Sequence, residues 1–186
     1  MTAGAGDDRV FLGDGNDEYL ADDDTSEMAG DDFVRGGAGR DVIIDLLGSN
    51  NLHGDTGADV LIAFDALTDD GVYDTIEEVG TTDTLSGGFG DDTLFGDAGD
   101  IMTGGAGEDF FYVTDDEDVD LAPVRITDFN VAEDALLVIQ QSSLADTGSV
   151  TFTSTPQGVT VSFEGRTVAV LEGLGARSVL NSVYEA

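Results

Sequence analysis

Short segments rich in glycine and aspartate are the part of this sequence that could do chemistry, and residues 87–92, Gly-Gly-Phe-Gly-Asp-Asp, are the clearest of them. Glycine permits positive φ, so such a turn can curl until several backbone carbonyls face one point. The final aspartate adds a carboxylate. Ca2+ is bound by about six to eight oxygens of these two kinds, so one segment indicates roughly half of a calcium site.

The charge of the chain also indicates a divalent cation as partner. Six Lys and Arg oppose 40 Asp and Glu among 186 residues, which gives a formal net charge of −34 and strong self-repulsion in a compact state. Nucleic acid and anionic membrane surfaces are bound through clusters of Lys and Arg, and the sequence has none, so neither is an expected partner. Because there is no cysteine, a bound metal is also the expected substitute for disulfides in a secreted protein.

The segments recur with a period of nine over roughly residues 3–112. Clean copies begin at Gly36, Gly87 and Gly104, looser ones at Ala3, Leu12, Glu27, Asp45, Gly54 and Glu78, and a copy one residue short spans 96–103. Each full copy keeps Asp or Asn at its sixth place and an apolar residue at its eighth, and the short copy has Asp100 and Met102 in these two roles. Counting Met102 with them, the eighth places are Val10, Tyr19, Val34, Ile43, Leu52, Leu61, Leu85, Leu94, Met102 and Phe111. Breaks at 21–26 and 63–77 leave open which loops stack across them.

Each copy predicts a six-residue turn followed by a very short strand. Side chains alternate between the two faces of a strand, so the eighth-place residue is expected to point inward while its neighbours point outward. A three-residue strand cannot bury a side chain alone. The copies must therefore stack into a solenoid with a thin apolar core.

The repeats resemble the RTX (repeats-in-toxin) hemolysin-type calcium-binding nonapeptides. The resemblance implies an all-β, right-handed parallel β-roll in which two nonapeptides make one turn and several Ca2+ ions lie between loops two repeats apart. It pairs Asp41 with Asp59, Asp92 with Asp109, Asp83 with Asp100, and Asp32 with Asn50. Asp8 and Asp17 match the motif, but the first break leaves their partners open. Because one loop holds only half a site, binding and folding are expected to be coupled, with a largely unfolded calcium-free chain.

The expected calcium ligands are the sixth-place residues together with the loop glycines. They are Asp8, Asp17, Asp32, Gly36, Gly37, Gly39, Asp41, Asn50, Gly54, Gly57, Asp59, Asp83, Gly87, Gly88, Gly90, Asp92, Gly96, Gly99, Asp100, Gly104, Gly105, Gly107 and Asp109.

The pattern changes after the last repeat, which divides the chain into a roll at 1–113 and a C-terminal part at 114–186. Residues 150–153, 159–163 and 167–171 alternate as half-buried strands and predict a small antiparallel β cap on the open end of the roll. The family resemblance further implies a type I secretion signal in this part, a type I secretion apparatus as partner, and an extracellular bacterial location. The absence of an N-terminal signal-peptide pattern agrees with that route.

No catalytic site is predicted. His53 is the only histidine, and no cysteine exists to build a zinc site or a thiol nucleophile with it. Several outward seventh and ninth places are apolar, namely Phe33, Val42, Ile44, Val60, Ile62, Phe95, Phe110 and Tyr112. Either the cap and the interruptions cover them, or they form a docking face for a partner protein or a second copy.

Two other functions remain as alternatives. The combination of a roll and a β-rich end also resembles the polysaccharide-binding R-modules of alginate epimerases, although only six arginines are available to hold an anionic polymer. An ice-binding roll would require regular outward rows of Thr and Asn, and the sequence has too few of them. The sequence therefore favours a non-catalytic, calcium-binding secreted module.

Overall fold

The computed structural model describes residues 1–2, 6–21, 30–63, 81–115, 122–140, 149–174 and 183–184. The two breaks of the repeat lie outside these ranges except for Ala21 and Ala63. Within them every regular element is a β-strand, so the predicted all-β class is confirmed. No helix in the described ranges has the length and apolarity needed to cross a membrane.

Ten strands carry the repeats: β1 Arg9–Asp14, β2 Glu18–Leu20, β3 Phe33–Ala38, β4 Val42–Ile44, β5 Asn51–Thr56, β6 Val60–Ile62, β7 Thr84–Phe89, β8 Thr93–Gly96, β9 Ile101–Ala106 and β10 Phe110–Asp115. Six more follow: β11 Val124–Ile126, β12 Ala135–Gln140, β13 Val150–Thr155, β14 Gly158–Phe163, β15 Arg166–Glu172 and β16 Val183–Tyr184.

Successive repeats alternate between two sheets. Sheet 1 has the order β1-β3-β5-β7-β9-β11-β15-β14-β13, and sheet 2 has the order β16-β12-β10-β8-β6-β4-β2. In the repeats each strand pairs in parallel with the strand two places along the chain, so two nonapeptides make one coil of a β-roll, as predicted. The pairing continues across both breaks, because β1 and β2 pair with β3 and β4, and β5 and β6 with β7 and β8.

The eighth places form the core of the roll. All ten of the predicted side chains are buried, and nine of them are fully inaccessible to solvent. In-register pairing explains this, since Leu52 pairs with Leu85 in sheet 1 and Leu61 with Leu94 in sheet 2, which stacks like places on one another. The strands of sheet 1 are longer than predicted: β5, for example, continues into the first three places of the next copy.

The C-terminal part extends both sheets. β11 and β12 add to them in parallel, next to β9 and β10, while β13, β14 and β15 form the predicted antiparallel unit. β15 then joins β11 in parallel, so the unit is continuous with sheet 1. The division of the chain at residues 113 and 114 stays a prediction, and that position lies inside β10.

The outward apolar side chains are half-buried, except Phe110, which is 44% exposed. On sheet 2 the rings of Phe95 and Tyr112 stack at 4.3 Å between centroids. On sheet 1 the His53 ring lies 5.3 Å from that of Phe33. The docking role of these positions stays a prediction.

Replacing Leu94 by alanine is expected to lower the free energy of unfolding by about 2–5 kcal/mol, because a fully buried side chain would leave a cavity in a thin core. Urea denaturation in saturating calcium measures the change. The matched control is Phe89→Ala, since Phe89 is 69% exposed and its removal is expected to change stability by less than about 0.5 kcal/mol. Equal effects of the two variants would contradict the assignment of the core.

Candidate metal sites

The sixth-place residues form two ladders along the turns of the roll. We define ladder 1 as Asp8, Asp32, Asn50, Asp83 and Asp100, and ladder 2 as Asp17, Asp41, Asp59, Asp92, Asp109 and Asp134. In both, each backbone N–H donates to the side-chain Oδ1 of the next member. The N–O distances are 2.5–2.9 Å in ladder 1 and 2.8–3.1 Å in ladder 2.

Strand register produces these ladders. A sixth-place residue directly precedes its short strand, so parallel pairing of the strands places it beside its counterpart on the next coil. Its backbone N–H lies at the end of the pairing and would be buried without an acceptor, and the neighbouring Oδ1 supplies one. All four predicted pairs of loops are brought together.

The structure shows which loops stack on one another across the two breaks in the repeat. Asp8 lies next to Asp32 and Asp17 next to Asp41 on either side of the first break. Across the second break Asn50 adjoins Asp83 and Asp59 adjoins Asp92, as shown by their backbone-to-side-chain hydrogen bonds.

The second carboxylate oxygen of most ladder 2 residues has no protein partner. Oδ2 of Asp17, Asp41, Asp59 and Asp92 is buried without a hydrogen bond. A buried carboxylate oxygen without a hydrogen bond or a cation is costly, of the order of several kcal/mol for an ion. These oxygens lie one per coil, so a row of cations along the ladder would satisfy them.

The loop glycines leave room beside these oxygens. A Cβ built at the first-place glycine of a ladder 2 loop would collide with Oδ2 of the aspartate in the same loop, as at Gly36, Gly54 and Gly87. The same Cβ would lie only 2.9, 2.7 or 2.6 Å, respectively, from the carbonyl oxygen of the first-place glycine on the next coil. The space that a side chain would fill is thus bounded by a carboxylate and a carbonyl from two coils.

Glycines at the second and fourth places allow the coils to approach one another. Gly57 has a φ of 147°, and a Cβ there would collide with the carbonyl of Gly39 on the preceding coil. Gly88 has a φ of 115° and faces the carbonyl of Asp55 in the same way. Asp55 itself occupies a second place at a φ of 75°, and Arg35 Nε donates to its Oδ2 at 2.9 Å.

This donor set fits Ca2+. In the described ranges no three acidic or histidine side chains form a cluster that could hold a metal by themselves, and the carboxylates of ladder 2 are spaced one per coil. Backbone carbonyls must then complete a site, and mixed carboxylate and carbonyl coordination in flexible geometry is characteristic of Ca2+.

Burial weakens the ionisation of these carboxylates when no metal is bound. Desolvation raises the pKa of Asp92 to about 7 and that of Asp109 to about 6, with smaller contributions from neighbouring carboxylates; hydrogen bonds from the N–H of the preceding ladder residue oppose the shift. The pKa values of Asp41 and Asp59 are raised for the same first reason.

Near the end of ladder 2 lie two acidic residues that the repeat pattern missed. Asp134 Oδ1 accepts from the N–H of Asp109 at 3.1 Å, and its Oδ2 accepts from Asn130 N–H at 2.7 Å. Asp128 accepts from the N–H groups of Gly104 and Gly105 at 3.0 and 2.8 Å. The sequence pattern could have revealed Asp134. It stands two residues before the buried Leu136, which is the same separation as between the sixth and eighth places of a repeat.

Comparison with protein families gives the decisive observation. The model of the RTX calcium-binding nonapeptide repeat matches four segments, at residues 1–25, 28–61, 80–111 and 100–119, which together cover more than half of the sequence. The chain belongs to the RTX calcium-binding nonapeptide repeat family. RTX repeats bind multiple Ca2+ ions, so the roll is a calcium-binding module.

Other comparisons are more distant. The crystal structure of the extracellular lipase LipA from Serratia marcescens aligns with 97% of this RTX chain at 19% sequence identity and a TM-score of 0.38. The RTX chain spans 38% of the length of that lipase chain. No curated protein matches its sequence.

The close approach of the coils predicts different effects for two equivalent glycines. Gly13 and Gly88 both occupy a second place, at φ values of 106° and 115°, but a Cβ at Gly13 would meet nothing within 4 Å because Gly13 lies on the first coil. Gly13→Ala is expected to cost about 1–2 kcal/mol from backbone strain alone. Gly88→Ala is expected to cost roughly a further 1–3 kcal/mol, because overpacking adds to the strain. Urea denaturation of both variants in saturating calcium measures the difference, and equal costs would contradict close stacking.

The pKa shifts predict that acid partly replaces calcium. An aspartate in the unfolded chain has a pKa of about 3.9. In the calcium-free fold the pKa is raised to about 7 for Asp92 and to about 6 for Asp109. Between the unfolded and the folded pKa values, the folded state therefore binds more protons than the unfolded state. The stability of the calcium-free fold therefore falls as pH rises through this window and is gained as pH falls. Far-UV circular dichroism of metal-free protein should show more β-structure at pH 5.5 than at pH 8. Asp92→Asn should reduce that gain, and a loss of β-structure on acidification would contradict the prediction.

Proposed function

We propose that the chain is a non-catalytic module of a secreted bacterial protein that is unfolded where calcium is scarce and folds on binding Ca2+ outside the cell. The observation that carries this proposal is the row of buried Oδ2 atoms without a hydrogen-bond partner at Asp17, Asp41, Asp59 and Asp92. Each is a buried carboxylate oxygen that a bound cation would stabilise.

The ligands we propose are the carboxylates of ladder 2 and the carbonyls of its loop glycines. When bound, the ion supplies positive charge and accepts oxygen ligands from two coils. Each ion would offset two of the 34 net negative charges of the chain. The loops themselves hold the oxygens in place, because the ladder hydrogen bonds fix Oδ1 of Asp41, Asp59 and Asp92 and leave Oδ2 of these residues for the metal.

Coupling between binding and folding follows from the size of the repeat. The strands β4 and β6 of sheet 2 are only three residues long, and each buries one core side chain only when it is stacked between two others. An ion that binds two stacked loops and not the open chain stabilises the stack by mass action. Without the ion the closely spaced carboxylates oppose the same stack.

A non-catalytic role is supported by how the perturbed carboxylates are distributed. In the described ranges those of ladder 2 recur along the turns, one on each coil, and the backbone N–H of one donates to Oδ1 of the next. An active site would require different groups gathered in one cleft. The His53 ring packs against Phe33, and desolvation lowers its pKa.

Export is proposed from the family and the composition. The absence of cysteine and the dependence on an abundant extracellular ion suit a protein that folds after export. A type I secretion signal in 114–186 stays a proposal by resemblance.

Binding of an anionic polysaccharide is less well supported. Arg125 Nε donates to a carboxylate oxygen of Glu172 at 2.8 Å, and Arg35 donates to Asp55. The guanidinium of Arg9 lies 4.9 Å from the centre of the Phe33 ring. At least half of the six arginines are therefore already engaged within the protein.

A calcium titration of metal-free protein, followed by far-UV circular dichroism, tests the proposal. We expect a cooperative transition from coil to β-structure with Ca2+ and none at equal concentrations of Mg2+, which keeps its water shell and demands octahedral geometry. Asp92→Asn should raise the midpoint calcium concentration on the order of tenfold to a hundredfold, as loss of a group supporting a metal site does.

The matched control is Asp14→Asn, which removes the same charge from an exposed position in a ladder 2 loop. It should leave the midpoint within about twofold. A metal-free protein that is already fully β-structured and unaffected by calcium would overturn the proposal.

A further inference from the structure

The loop of residues 45–50 departs from the repeat motif at two places. Its first place is Asp45, where the three clean copies have glycine, and its sixth place is Asn50, where they have aspartate. The loop has therefore lost one carboxylate and gained another. The motif does not assign Asp45 to calcium.

The first and sixth places of a loop lie next to each other. A Cβ built at any of five first-place glycines would lie 2.3–2.7 Å from Oδ2 of the sixth-place aspartate in its own loop; they are Gly36, Gly54, Gly87, Gly96 and Gly104. Gly96 belongs to a loop of ladder 1, so the relation holds on both edges of the roll. A side chain at the first place therefore begins beside the oxygen that we propose as a metal ligand.

Asn50 presents a hydrogen-bond donor where the sixth-place aspartates present an oxygen. Its Oδ1 accepts from the backbone N–H of Asp32 at 2.9 Å, as the ladder requires. Its Nδ2 donates to the carbonyl of Leu47 at 3.1 Å and to that of Gly48 at 3.3 Å. An amide NH2 group has no acceptor capacity and cannot bind a cation. The sixth place of this loop thus offers no oxygen that corresponds to Oδ2 of an aspartate.

Asp45 supplies a buried carboxylate oxygen instead. Its side chain is 2% exposed, and its Oδ2 is buried without a hydrogen bond, like Oδ2 of Asp41 and Asp59. Burial, and then the charges of Asp32 and Asp83 on the two neighbouring coils, raise the pKa of Asp45 to about 8, although a backbone hydrogen bond opposes the shift. The loop therefore keeps one unpartnered carboxylate oxygen in a desolvated position.

Asp32 provides a second carboxylate from the preceding coil. The side chains of Asp45 and Asp32 lie within hydrogen-bonding distance of each other, yet an ionised carboxylate has no proton to donate. Asp32 is held in place, because its Oδ1 accepts from Asp8 N–H and its Oδ2 from the hydroxyl of the fully buried Tyr19, both at 2.9 Å. Each oxygen retains a lone pair for a cation. Two buried carboxylates that face each other destabilise the fold unless positive charge joins them.

We infer that Asp45, and not Asn50, is the calcium ligand of this loop, and that it binds the ion together with Asp32 on ladder 1. The inference rests on the proposed function, because it assumes that stacked loops bind Ca2+, and it changes the pairing of Asp32 with Asn50 that the resemblance implied. Backbone carbonyls must complete the coordination, since Ca2+ takes about six to eight oxygens. Aspartate at the first place thus compensates for asparagine at the sixth.

A crystal structure of the calcium-loaded protein, with anomalous scattering used to locate calcium, tests the inference. We expect an ion within about 2.3–2.6 Å of an oxygen of Asp45 and of an oxygen of Asp32. Ions on ladder 2 and none at Asp45 would overturn the inference alone, and would leave a proton shared between Asp45 and Asp32 as the alternative. If neither ladder holds an ion, the proposed function fails too, so the two failures are distinguishable.

Ion counting by native mass spectrometry at saturating calcium is a second test, made on the protein in solution. Asp45→Asn removes the charge with little change in volume and should lower the number of bound ions by one. The matched control is Asp14→Asn, which removes the same charge from an exposed third place of a ladder 2 loop and should keep every ion. A full complement of ions in Asp45→Asn would contradict the assignment.

Restoring the motif distinguishes a ligand from a residue that only positions Asp32. Asp45→Gly alone should lack one ion. Asp45→Gly combined with Asn50→Asp has glycine at the first place and aspartate at the sixth, so it should recover that ion. Far-UV circular dichroism at saturating calcium checks that each variant keeps its β-structure, which the unchanged loops of ladder 2 should maintain. A double variant that remains one ion short would overturn the proposed exchange of ligands.

Discussion

The structure depends on carboxylates that must lie next to one another. Pairing of the short strands in register places each sixth-place aspartate beside the next, where its Oδ1 accepts the backbone N–H that would otherwise be buried unpaired. The same register brings like charges together in a partly desolvated position, which opposes stacking. The fold needs these carboxylates as hydrogen-bond acceptors, but their uncompensated negative charges destabilise it. It is therefore most stable when a cation or protons neutralise them.

Glycine determines how closely the coils can stack. The backbone carbonyl of one loop lies where the Cβ of the next loop would be, so the loop-to-loop distance is set by the absence of side chains and not by their packing. The apolar core alone could not impose this distance, because each coil contributes one side chain from each sheet. The spacing between coils therefore determines both the positions of the candidate ligand oxygens and the packing of the core side chains.

Much of this arrangement could be predicted from the period of nine. The eighth places gave the core, and the sixth places gave both ladders, because each position recurs with one side-chain chemistry. The longer strands of sheet 1 and the ladder position of Asp134 were not predicted, since Asp134 follows no glycine-rich turn and is defined by its contact with Asp109. The hydrogen bond from Tyr19 to Asp32 also escaped prediction, because it joins residues of different copies.

The uninterrupted pairing of strands across the second break has a consequence for how such proteins can change during evolution. Ala63 and Thr81 lie at the two ends of the undescribed residues 64–80, yet β5 still pairs with β7 and β6 with β8 without a shift in register. The closure entropy of a flexible segment grows only slowly with its length, by about 0.6 kcal/mol for each doubling. A turn of the roll can therefore accept foreign sequence without disturbing the coils on either side, which makes the solenoid a scaffold for acquiring new segments.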